Sequence, residues 1–164
     1  MKIIYLDLNC LSDSLSYQLA KDNKDSLFIY AQEKDNDDLK SYRIIQAKTA
    51  LKEKSFAILN RTYPYSYETI ALLQRIYKFK PDIIHIFNLD SLPIDKKMLK
   101  DSLNAYGVPV VQSTEDTYDS QLKSLVVSSE VIPETKSLYV DKSLPLESKM
   151  YAYKRVYKLL KENA

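Results

Sequence analysis

Two short runs, Ile3 to Leu8 and Ile83 to Phe87, are apolar at almost every position and end in polar turns, Asn9 to Ser14 and Asn88 to Ser91. A strand with one wet face alternates polar and apolar residues, so a run without alternation belongs to a strand covered on both faces. Leu27 to Ala31, Tyr42 to Gln46, Val108 to Val111, Leu125 to Val127 and Leu138 to Val140 read as further strands. Helical stripes fall between them. Leu15, Leu19 and Ala20 form the first, with Ser12 or Asp13 as its cap. From Thr49 to Lys80 two helices meet at Pro64, and Pro81 stops the second. Met98, Leu99, Leu103 and Tyr106 face one way before Gly107 ends their helix, and a terminal helix over 147–162 buries Met150, Tyr153, Val156, Tyr157 and Leu160. Strands alternating with helices predict an α/β fold: a Rossmann-like three-layer α/β/α arrangement with a mainly parallel, doubly wound sheet. All 164 residues fit one domain, with the terminal helix packing back on it.

Single residues exclude whole classes of site. The chain has 1 Gly, so neither the Gly-rich dinucleotide fingerprint nor the phosphate-cradling P-loop can be built, and no cofactor is expected. It has 1 Cys and 1 His, which excludes an internal disulfide and a multi-His/Cys zinc site; no metal is expected, and a reducing, cytoplasmic location fits. A net charge of +2 gives no global field of the kind nucleic acid attracts. The apolar run after Met1-Lys2 is too short for a signal peptide, and no run reaches the roughly 18 apolar residues of a membrane span.

In a doubly wound sheet the ligand binds where the strand order reverses, beyond the strands' carboxyl ends. That rule draws Asn9, Ser12, Asn88, Asp90, Ser113 and Glu115 toward one crevice. Each has a plain alternative. Asn88 and Asp90 suit sugar hydroxyls and are also ordinary turn formers. Ser113, Glu115 and Asp116 offer an acidic pair as base or hydroxyl acceptor, yet acids at a helix start are also stabilised by its dipole. His85 inside an apolar strand reads as a buried ring bonded to backbone, or as a crevice contact. Asp35 to Asp38 is a solvated charge run rather than a metal-binding acid pair. Cys10 reads as a buried structural thiol. Tyrosines at 63, 65, 67, 151, 153 and 157 stand among Arg61, Lys149, Lys154, Arg155, Lys158 and Lys161, a mixture that either packs with wet cations or touches lipid headgroups.

The segment Lys80-Pro81-Asp82-Ile83-Ile84-His85-Ile86-Phe87-Asn88, followed after one helix by Tyr106-Gly107-Val108-Pro109-Val110-Val111, resembles the amino-terminal domain of glycosyltransferase family 4. Leu125 to Glu130 is similar to that family's strand ending in serine-glutamate, which implies a place for Glu130 near the crevice, and the terminal helix is similar to the one that crosses back onto this domain. The resemblance implies the acceptor-side half of a retaining transferase of GT-B architecture, serving polysaccharide or glycolipid synthesis, with His85 near the sugar. Asn9-Cys10-Leu11-Ser12 stands where the family has a Gly-rich loop, and Phe87 where it often has a second histidine. The family's donor-binding domain has no counterpart within these 164 residues. The expectation is an acceptor-binding domain or relic, inactive alone, that a partner chain with a nucleotide-sugar domain completes. Its acceptor would be a sugar or a lipid-linked sugar, with peripheral contact at the inner membrane face. The alternative is a non-catalytic Rossmann-like or flavodoxin-like scaffold; a receiver role is disfavoured because Phe87 occupies the place of the phosphorylated aspartate.

Overall fold

A computed structural model of the chain describes residues 1–7, 14–30, 39–43, 66–89, 94–114, 120–128 and 137–163. Among these, seven strands form one sheet: β1 (Ile3–Leu6), β2 (Leu27–Tyr30), β3 (Ser41–Arg43), β4 (Ile83–Phe87), β5 (Val110–Thr114), β6 (Leu125–Ser128) and β7 (Ser137–Tyr139). Their order is β3-β2-β1-β4-β5-β6-β7 and every neighbouring pair is parallel. The sheet is thus Rossmann-like, and its order reverses between β1 and β4. Four helices accompany it: α1 (Leu15–Asp22), α2 (Ser66–Phe79), α3 (Lys96–Tyr106) and α4 (Leu146–Glu162).

Side chains on a strand point alternately to the two faces, so each unalternating run feeds two cores. Ile4, Leu6, Ile84 and Ile86 meet Leu72 and Ile76 of α2 and Leu99 and Leu103 of α3. On the other face Ile3, Tyr5, Ile83, Phe87, Val111 and Val127 meet Tyr17 and Leu19 of α1 and Tyr153, Val156 and Tyr157 of α4. Helices on both faces of a parallel sheet explain why these strands carry no polar alternation.

The boundaries follow local chemistry. The cap of α1 is Ser14, not Ser12 or Asp13: its backbone is extended and its Oγ accepts from the Tyr17 amide. Asp95 caps α3 in the same way. α2 stops at Phe79 because Lys80 turns left-handed, φ 53, immediately before Pro81. β5 starts at Val110 and runs to Thr114, two residues later than the sequence suggests. Pro109 has no N–H for the ladder and contributes only its carbonyl, which accepts from Ile84. Tyr106 is not a core residue but half-exposed, edge-on to Tyr77 of α2 at 4.9 Å. The helix expected before Pro64, the acidic run at 35–38 and the tyrosines at 63 and 65 lie outside the described residues, while Tyr67 falls in the first turn of α2.

Gly107 closes α3 in the left-handed region at φ 74, with its amide donating to Leu103 and nothing within 4 Å of where a Cβ would stand. The demand is therefore conformational rather than steric contact. Gly107→Ala should lower unfolding stability by ~1 kcal/mol and Gly107→Asn by less, since asparagine tolerates this region. Urea unfolding checks this; equal stability of all three proteins would show that the turn relaxes.

Candidate functional site

Register places two rows of side chains side by side on the α1/α4 face. Tyr5 pairs with His85, and His85 with Val111. One step further along the strands, Phe87 pairs with Ser113 and Ser113 with Val127, while Asp7 follows β1. The first row is buried beneath α4. The second forms the floor of a cleft of about 380 Å³ beyond the carboxyl ends of the strands, within the usual range for small-molecule sites.

The walls come from elements far apart in sequence. On the β1 side stand Ser14, Leu15 and Ser16, at the start of α1, beside Asp7. Asn88 follows β4 and Ser128 ends β6, and Val140, Lys142, Leu146, Lys149 and Tyr153 close the β7 and α4 side. Asp7 is 6% exposed, and its carboxylate accepts from Ser16 Oγ at 2.5 Å, while Ser16 and Ser14 hydroxyls are 3.0 Å apart. Asn88 adopts φ 51, a region where asparagine is among the least strained side chains. Its amide donates to the Ser113 carbonyl at 3.3 Å, so the turn after β4 is tied to β5.

Beneath this floor lies a hydrogen-bonded chain. His85 is fully buried; its Nδ1 is 2.5 Å from the Tyr157 hydroxyl and its Nε2 2.7 Å from Ser113 Oγ. Ser113 Oγ is in turn 2.6 Å from the Tyr153 hydroxyl. The ring stacks on Phe87 at 3.9 Å and on Tyr153 at 5.0 Å. Tyr153 and Tyr157 are one helical turn apart, so a single helix satisfies the imidazole and the serine together. Tyr5 meets Tyr157 edge-on at 6.2 Å and interacts with its hydroxyl.

Burial sets the charge state of this chain. Loss of water around the ring pushes His85 down to about 3. Burial likewise pushes Tyr5 and Tyr153 up to about 12, Ser113 and other hydroxyl partners offsetting part of it, and raises Tyr157 well above its ordinary value. At neutral pH the chain is uncharged throughout.

A serine oxygen this close to an imidazole nitrogen has the spacing of a nucleophile and its base. The electrostatics oppose that role. Proton transfer from Ser113 would create an imidazolium that this environment disfavours, and the group at Nδ1 is a neutral phenol rather than a carboxylate. The arrangement suits recognition: hydroxyls, an amide and one carboxylate over an apolar floor, with cations at one rim. Among the described residues no group of His, Cys, Asp and Glu is placed to hold a metal ion.

The structure therefore sorts the residues singled out from sequence. Asn88 and Ser113 line the cleft. His85 is buried as one reading held, but its partners are side chains, not backbone, and it does not reach the cleft: Ser113 stands between. Asn9, Ser12, Asp90, Glu115 and Glu130 lie outside the described residues, as does Cys10. Asp7, Ser16, Tyr153 and Tyr157 were not singled out as site residues. Their signal was available in part, because a tyrosine on a buried stripe needs a partner for its hydroxyl. Comparison with protein-family models, with curated proteins and with solved structures finds no match.

His85 is the chain's 1 His, so its ring nuclei can be read without assignment. Their NMR shifts should stay constant from pH 8 to 4.5, and titration near 6.5 would contradict the burial described. The sign for stability follows. Unfolded, the ring binds a proton below about 6.5, whereas folded it binds one only near 3. Stability from this group is complete above 6.5 and is lost as pH falls toward 3, at ~1.4 kcal/mol per pH unit.

Proposed function

We propose that this chain is the acceptor-side half of a GT-B sugar transferase, binding a sugar-class ligand in the cleft at the switch point and inactive without a partner. The observation that carries the reading is the cleft itself. It lies where the strand order reverses and offers Asp7, Ser14, Ser16, Asn88, Ser113, Ser128 and Tyr153 to a ligand. Alternating hydroxyl, amide and carboxylate groups over Phe87 and Val127 suit a molecule with hydroxyl edges and apolar ring faces. The segments that resemble glycosyltransferase family 4 form β4 and β5, the strands beneath this floor.

The neutral Ser113–His85 pair supports a binding rather than a bond-breaking role for this half. In this reading the nucleotide sugar and the groups that act on it come from a partner chain. A lipid-linked acceptor fits α4, where Tyr151 and Leu159 are exposed beside Lys154 and Lys158. No helix among the described residues is long and apolar enough to cross a membrane, so membrane contact in this reading is peripheral.

A scaffold reading has its own support in the exposed Leu138 and Tyr139 of edge strand β7. The two separate by experiment. Native purification from the source cell should yield a complex that binds UDP- or GDP-sugars while the isolated chain does not. Recovery of the chain alone, with no nucleotide-sugar binding, would replace the transferase reading with the scaffold.

A further inference from the structure

Ser113 and Tyr153 carry two hydroxyl protons, and their mutual contact at 2.6 Å uses one. His85 decides where the other goes, because a neutral imidazole has one N–H. With the proton on Nδ1, Nε2 is an acceptor and takes the second proton from Ser113. The cleft floor then shows only lone pairs. With the proton on Nε2, the ring donates to Ser113, Tyr157 donates to Nδ1, and the second proton is released toward the cleft as a donor. The buried tautomer thus sets the polarity of a surface it does not touch.

Charge along the cleft selects between the two. By position in the sheet, Asp7 stands beyond β1, whereas Lys142 and Lys149 stand beyond β7 and at the start of α4. β4, β5 and β6 lie between Asp7 and Lys142, while Lys149 stands one helical turn before Tyr153, which meets Ser113 on β5. Among the described residues neither lysine forms an ion pair. Asp141 is held below its usual range chiefly by Ser143, with a smaller contribution from Lys149, but does not line the cleft. One end is therefore acidic and hydroxyl-rich, the other cationic.

We propose that the cleft takes a small polyhydroxylated ligand bearing an oxyanion, held by Lys142, Lys149 and the single floor donor that the Nε2–H tautomer of His85 releases. The ligand's hydroxyls then face Asp7, Ser14 and Ser16. This rests on the reading of the cleft as a sugar-class site, and it makes His85 a positioning residue acting through Ser113.

The full chain is titrated at pH 7 and fixed ionic strength with glucose, glucose 6-phosphate, glucuronate and inorganic phosphate, following the side-chain nitrogens of His85. Glucose 6-phosphate or glucuronate should bind at least tenfold more tightly than glucose, with His85 in the Nε2–H form. The double variant Lys142→Gln/Lys149→Gln should lose that advantage. Glucose binding as tightly as its charged relatives, an Nδ1–H ring in the complex, or unchanged affinity in the double variant would each overturn the inference while leaving the sugar reading standing. Inorganic phosphate binding as tightly as glucose 6-phosphate, with both affinities lowered in the double variant, would keep the oxyanion site and remove the sugar. Binding of none of the four would remove both.

Discussion

Everything on the α1/α4 face depends on how His85 is buried. An imidazole at the centre of a parallel sheet is tolerable only if it is neutral and both nitrogens are satisfied. β5 supplies Ser113 to one nitrogen and α4 supplies Tyr157 to the other. That requirement fixes α4 over the middle of the sheet. Val156, packed among Ile3, Tyr5 and Phe28, adds the apolar part of the same anchorage. Midway along the helix Lys154 pairs with Asp22 of α1, but both groups are half-exposed and such pairs contribute little.

Once α4 is fixed, the cleft follows. The helix starts above the carboxyl ends of the strands, so its first turns, with Leu146, Lys149 and Tyr153, become a wall, and its later turns are committed to the core. The bond that satisfies His85 Nε2 also holds Ser113 at the floor, and Ser113 in turn meets the hydroxyl of Tyr153 in the wall. Stability and recognition therefore share one set of groups. Positive charge stays at the rim, where water and ligand can reach it, and the neutral interior avoids the cost of an unpaired buried charge.

Much of the fold was legible because its signals are local. Unalternating runs specified two-sided burial, Pro81 marked a helix stop, and Gly107 marked another. Val108 and Pro109 read as strand by their apolar run, but β5 starts only at Val110, since a strand's start depends on which N–H groups a neighbour needs. Ser12, Asp13 and Ser14 are equally suitable caps by residue type, and only the backbone selects Ser14. The site was less legible. Asp7 looks like a charge that merely ends a strand, and Tyr153 and Tyr157 look like packing or headgroup contacts. Their meaning comes from His85, 72 residues from Tyr157 in sequence, and no periodicity reports a contact of that range. The parity of His85 with Ile83 and Phe87 does give its face, so a sequence reader could have asked which helix supplies its partners.

The central claim is that ligand binds beyond the carboxyl ends of β1, β4, β5 and β6, over the floor that His85 supports. Backbone amide shift mapping of the isolated chain against a mixture of simple sugars and sugar phosphates tests it most directly. Perturbations should gather at Asp7, Ser14 to Ser16, Asn88, Ser113, Ser128 and Lys149 and leave α2 and α3 unchanged. Perturbations confined to the α2/α3 face, or to edge strands β3 and β7, would place the ligand elsewhere and contradict the claim.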